Sequence, residues 1–228
     1  MTARPVLVFD VNETLLDLDH LRPLFGAWFG DEQVLRDWFA QLILYSQTMS
    51  LAGLEDNFTT LAGAVLRMVG AIRGVEINAD HISRLNAAIA HMPPHADAAE
   101  ALAHLQAQGF RMVTLTNSPP SDGPSALDRS GLANFFERMF SVQATRRFKP
   151  APQTYQLVSD TLQVPLSELC LVACHVWDTI GLQVLGGKGA LVTHGANAPL
   201  PGTAAPLPDL VAPTLTELAQ KISARWPA

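Results

Sequence analysis

The chain has 228 residues, 48% of them hydrophobic, and carries 15 Lys plus Arg against 21 Asp plus Glu, a formal charge of -6. That content supports a packed core, while the acidic balance and the lack of any Lys/Arg cluster argue against nucleic acid or an anionic membrane as partner and leave a small molecule. No stretch approaches the roughly 20 apolar residues of a membrane span, and the first strand starts too early to leave room for a signal peptide, so a cytoplasmic protein is expected. The two cysteines, Cys170 and Cys174, flank an apolar run four residues apart and read as reduced thiols.

Val6 to Phe9 is an uninterrupted apolar run, the pattern of a strand buried on both faces in a parallel sheet, and it delivers Asp10 at its carboxyl end with Thr14 in the following turn. A helical block follows. Val34, Trp38, Leu42, Tyr45 and Met49 recur at three- and four-residue steps, Phe58, Leu61, Val65, Val69 and Ile72 repeat the pattern up to Gly74, and a third helix from about Asp80 ends before Pro93-Pro94. From Asp97 helices and strands alternate, the signature of a doubly wound α/β sheet. The strand Phe110 to Leu115 ends at Thr116-Asn117-Ser118, a short strand runs from Met139 to Val142, and Lys149 precedes Pro150 and Pro152 in a rigid loop. The helix after it carries Tyr155 in its first turn. Leu169 to Ala173 is another apolar strand, closed by Cys174-His175-Val176-Trp177-Asp178, and strands near 190–193 and 209–211 precede a last helix from about Leu215.

Four strand ends or adjacent loops therefore present Asp10 with Thr14, Thr116 with Asn117, Lys149, and His175 with Asp178. Each has a plain alternative when taken alone: a turn residue, a solvated lysine, a helix cap. Together they describe a site in the crevice at the carboxyl ends of an open α/β sheet. A carboxylate beside an ammonium and hydroxyl donors is held ionised and can act as a nucleophile. A second carboxylate, Asp178, can then serve as base for a water that opens the covalent intermediate.

These four segments resemble the four motifs of the haloacid dehalogenase superfamily, and Phe9-Asp10, Thr116-Asn117, Phe148-Lys149-Pro150 with Tyr155, and Trp177-Asp178 are similar to its (S)-2-haloacid dehalogenase branch. The resemblance implies a Rossmann-like core of residues 1–16 and 94–228 with a helical cap inserted at 17–93. It implies that Asp10 displaces halide from C2 of a short 2-haloalkanoate to form an ester, which water hydrolyses to the 2-hydroxy acid without metal or cofactor. In that scheme Thr14, Thr116 and Asn117 position the carboxylates, Lys149 keeps Asp10 ionised, Tyr155 supports the lysine, and Asp178 orients or activates water, with His175 as the alternative base. Three positions depart from the branch: Phe39 stands where an Arg is expected, Asn12 where an aromatic is common, and His175 where Asn is common. Asn12, Phe39, His175 and Trp177 are accordingly expected around the substrate, and Arg36, one turn before Phe39, could enter the site from the same helix face but reads more simply as a solvated charge. A homodimer is compatible with this reading. The competing readings are a Mg-dependent phosphatase of the same superfamily, which wants acids where Asn12 and Cys174 stand, and a phosphoacceptor or binding protein without turnover.

Overall fold

The protein is described by a computed structural model covering residues 4–195 and 197–227. Its first strand, β1 (Val6–Phe9), is buried along its whole length, as an apolar run must be when both faces of a sheet are covered. The helices α1 (Arg22–Phe29), α2 (Val34–Ala52), α3 (Phe58–Arg73) and α4 (Ala79–Ala90) follow before the chain returns to the sheet. From there α5 (Ala98–Ala107), β2 (Met112–Thr116), α6 (Ala126–Arg129), β3 (Arg138–Ser141) and α7 (Pro152–Leu162) lead to β4 (Leu169–Ala173). The chain then forms α8 (Val176–Gln183), β5 (Lys188–Val192), β6 (Leu210–Ala212) and α9 (Leu215–Arg225).

All six strands are parallel, in the order β3-β2-β1-β4-β5-β6. The winding runs outward from β1 through β2 to β3, and in the other direction from β4 to β6. The switch point therefore lies between β1 and β4, where an open α/β sheet forms its binding crevice. Asp10 follows β1 directly and His175 lies two residues past β4. The expected α/β class with a helical insertion is what the chain forms.

The insertion has one helix more than its periodicity announced. The short α1, with Pro23 in its first turn, hides behind Gly26 and a brief run. Local chemistry marks the other helices: Asn57 accepts from the Thr60 amide at 2.8 Å, Asn78 forms a capping box with His81, and Gly53 and Gly74 end α2 and α3 in the left-handed conformation. Val34, Leu35, Trp38 and Leu42 are buried on the inner face of α2, and the Trp38 indole donates to the Ala62 carbonyl on α3 at 3.1 Å. Each such side chain contributes about 1.5–3 kcal/mol by leaving water. The insertion meets the sheet body where the Phe58 and Phe148 rings pack at 5.8 Å and the Phe148 amide donates to Ser50 Oγ at 2.7 Å. Its two connections run side by side, since Leu16 bridges Pro94 and the Asp17 amide donates to the Pro93 carbonyl at 2.8 Å. Among the described residues no helix is long and apolar enough to cross a membrane.

Candidate active site

Asp10 ends β1 with its amide donating to the Val172 carbonyl of β4 at 3.0 Å, which aims its side chain into the crevice. One carboxylate oxygen accepts from Lys149 Nζ at 2.9 Å and the other from Thr14 Oγ1 at 2.7 Å. Thr14 in turn accepts from the Cys174 amide at 3.0 Å, so the β1 and β4 loops are stitched together beneath the nucleophile. Burial works against a charge on Asp10, but Lys149 and His175 outweigh it and hold the carboxyl well below the usual carboxylate range.

Lys149 is almost wholly buried and lies between two acids. Its ammonium donates to Asp10 at 2.9 Å, to Asp178 at 2.6 Å and to the Leu115 carbonyl at 2.9 Å, filling all three protons. Burial would neutralise it, yet the paired carboxylates keep its pKa above the ordinary value and the ammonium persists. Asn117 takes part by a route that spacing did not show. Its side-chain oxygen accepts from the Lys149 amide at 3.0 Å, so it fixes the lysine loop and makes no contact with either carboxylate. Tyr155 likewise supports the acid where the lysine was expected, donating to Asp178 Oδ1 at 2.6 Å. A side chain at Gly181 would run into the Tyr155 hydroxyl and come within 2.6 Å of Pro150 Cβ, so the close approach of α8 needs glycine.

Asp178 is fully buried, with one oxygen on Lys149 and the other on Tyr155. Burial pushes its carboxyl up from the usual value. It is absent from the lining of the small chamber over Asp10, which holds about 10 Å³, room for about one water. The chamber walls include Asn12, Phe39, Phe58, Thr116, His175 and Trp177. Asn12 is occupied by a hydrogen bond to Ser118 Oγ at 3.1 Å, and Thr116 Oγ1 accepts from the Ser118 amide at 3.1 Å, so Thr116 shapes the loop and does not reach the carboxylates.

His175 opens into this chamber. It is flanked by the Trp177 ring at 5.2 Å, nearly parallel, and by Phe39 at 5.5 Å. Its Nδ1 lies 3.7 Å from Asp10 Oδ2, while its Nε2 is 2.8 Å from Glu13 Oε2. Glu13 was missed in the sequence. It shares a turn with Asp10 and Thr14, and that second acid three residues past the nucleophile was the available signal. Behind Glu13 stands Arg36, which pairs with Glu13 and, at 2.6 Å, with Asp19. The expectation of a solvated Arg36 is thereby corrected, because two acids from the turn after β1 draw it inward. Burial opposes charge on Glu13, yet His175 and Arg36 lower its pKa to about 2. Burial also disfavours a charged His175, but the Cys174 sulfur, Asp10 and Glu13 more than offset it and raise the pKa well above the ordinary value. The Cys174 thiol is itself pushed up by burial and stays protonated, so the two carboxylates carry that effect.

Asp10, Cys174 and His175 offer donor atoms within 4.8 Å of one another. They do not fit Mg, which wants an octahedron of hard oxygens. Only Asp10 supplies them, and an ammonium already sits on it. Activity is therefore expected to survive excess EDTA and to be unchanged by added Mg, measured as product release under both conditions; dependence on added Mg would restore the phosphatase reading.

A six-stranded parallel sheet, a helical insertion after its first strand, and a strand-end aspartate held by a buried lysine define a hydrolase of the capped aspartyl-nucleophile type. A model of the haloacid dehalogenase-like hydrolase family matches residues 5–186, and the chain belongs to that family. It is 30% identical over 188 residues to (S)-2-haloacid dehalogenase 1 of Pseudomonas sp. (strain CBS-3), covering 80% of this chain and 79% of that one. It is 26% identical over 235 residues to the (S)-2-haloacid dehalogenase of Xanthobacter autotrophicus, covering 93% and 92%. A solved structure of L-2-haloacid dehalogenase from Xanthobacter autotrophicus with chloropropionic acid covalently bound superposes with a TM-score of 0.87 at 25% identity, covering 99% of this chain and all of that one.

Proposed function

We propose that the protein hydrolyses short (S)-2-haloalkanoates through an ester on Asp10, with residues 17–93 acting as a cap over residues 1–16 and 94–228. The observation that carries this reading is Asp10 itself, ionised, clamped by Lys149 and Thr14, at the floor of a chamber walled by aromatic rings. An oxygen of Asp10 attacks C2 in line, the carbon–halogen bond breaks, and its electron pair leaves with the halide. Alignment against a fixed carboxylate is the chief requirement of this step. Water then adds to the Asp10 carbonyl carbon, the ester C–O bond breaks, and the 2-hydroxy acid departs while Asp10 is regenerated with one oxygen from water.

The base for that water is His175, oriented by Glu13, and the role sketched for Asp178 passes to it. Both oxygens of Asp178 are taken and it does not line the chamber, whereas His175 does. Before alkylation His175 faces two carboxylates and stays protonated. Esterification removes the charge on Asp10, leaving His175 with Glu13, whose charge is shared with Arg36. The imidazole then gives up its proton more easily and can take one from water. Asp178 and Tyr155 hold the Lys149 ammonium in place. A single turnover in oxygen-18 water with enzyme in excess, followed by mass analysis of the Asp10 peptide, is expected to show one heavy oxygen in Asp10 and none in the product; label confined to the product would mean direct attack of water on C2.

A further inference from the structure

Glu13 lies in the left-handed region, with φ of 67°, although it carries a side chain. A conformation of this kind persists only where its surroundings hold it. What holds it is its own carbonyl oxygen, which contacts His95 Nε2 at 2.9 Å and His194 Nε2 at 2.7 Å. The two rings lie against each other with centroids 4.0 Å apart. A carbonyl oxygen has two lone pairs, and two imidazoles protonated at Nε2 use both. Burial and the neighbouring His95 lower the pKa of His194 from its usual value, so a neutral ring suffices there.

The two histidines come from segments far apart in the chain. His95 stands where the chain returns from the helical insertion, and its amide donates to the Leu15 carbonyl at 2.9 Å. His194 lies just past the end of β5. Arg36, paired with the Glu13 side chain, sits on α2 within the insertion.

We infer that His95 and His194 are positioning residues for the hydrolytic half of the reaction, clamping the backbone of Glu13 so that its carboxylate stays on His175. The inference rests on the assignment of water activation to His175 and Glu13. Neither histidine hydrogen-bonds to Asp10, Lys149 or the Thr14 side chain, so the larger loss on releasing the clamp is expected in the step that uses His175 and Glu13.

The test is rapid-quench measurement of halide release from 2-chloropropionate, with steady-state kcat, for the wild type and for leucine or glutamine variants at His95 and His194. Leucine at both positions removes the donors. Its halide burst is expected to keep its amplitude of one per site with at most about a twofold loss of rate, while kcat falls about tenfold through loss of two orienting hydrogen bonds. Glutamine, whose amide nitrogen can reach the place of Nε2, is expected to restore kcat to within about threefold. Equal loss in burst and kcat, no loss at all, or identical behaviour of the leucine and glutamine variants would overturn the clamp. Should the double leucine variant fail to fold, the single His194→Leu and His194→Gln pair gives the same comparison. Wild-type enzyme that releases no halide would instead count against the dehalogenase reading, whereas a wild-type burst with unaffected variants counts against the clamp alone.

Discussion

An enzyme carrying His175→Asn is expected to release one equivalent of halide and then stall as the Asp10 ester, with kcat down about 10²–10⁴-fold, the usual worth of a general base. Asparagine, the residue common at this position in the branch, keeps polar atoms in the place of the ring but cannot accept a proton from water, so the stall is expected only if this chain has moved the base to His175. Glu13→Gln should move in the same direction with a smaller loss, because His175 keeps its place between Trp177 and Phe39 but loses the carboxylate 2.8 Å from Nε2. Intact-protein mass after mixing with 2-chloropropionate reads the adduct directly. In the wild type, the ester-hydrolysis rate should rise with pH as His175 loses its proton, and that limb should vanish in His175→Asn. Asp178→Asn is the contrast: by loosening a contact of 2.6 Å to Lys149 it should slow the halide burst itself. Accumulation of adduct in Asp178→Asn together with normal hydrolysis in His175→Asn would return the role of base to Asp178.

The second large effect is expected of Lys149→Met, in both activity and stability. The ammonium is the one cation that Asp10 and Asp178 share, at 2.9 and 2.6 Å, in a place with almost no solvent. Breaking a buried pair by removing one partner costs about 3–5 kcal/mol, since the charge left behind has neither water nor counterion. Turnover should be nearly abolished because an Asp10 that protonates is no nucleophile. In the wild type the lowered pKa of Asp10 contributes stability that is present above the unfolded value and lost as the pH falls towards the folded one. The variant reverses the sign: without Lys149, burial and mutual repulsion raise the folded pKa values of both acids, so the folded state binds protons that the unfolded chain releases. Its deficit in thermal midpoint against the wild type should therefore narrow from pH 8 to pH 5. A deficit that is constant or absent over this range, with turnover retained, would show that Lys149 is not the counterion of the pair.

Much of the architecture could be read directly from the chain. The run Val6 to Phe9 is apolar at every position, and only a strand covered on both faces tolerates that, so the parallel sheet and the placement of Asp10 at its edge follow from local pattern alone. Gly74 was legible as the end of a helix of the insertion because capping is a short-range chemistry carried by a few residue types, while the caps at Gly53, Asn57 and Asn78 emerged only in the structure. The four-part constellation was legible for the same reason. Each part sits at the end of a recognisable strand or beside a proline pair.

The partners of those residues were not legible, because they depend on contacts between segments far apart in the chain. Asn117 was expected at the carboxylates and binds the Lys149 backbone, 32 positions on, while Tyr155 grips Asp178 in place of the lysine. Arg36 looks like an ordinary exposed helix position until the fold of the insertion sets it against Glu13. Glu13 itself depends on a backbone conformation that its residue type disfavours and that two distant histidines sustain. Sequence by itself determined which groups carry charge and where the strands deliver them. Tertiary structure alone decided how those charges divide among neighbours, since burial turns each distance of about 3 Å into a choice of protonation state, and the proposal of His175 as base rests on that division.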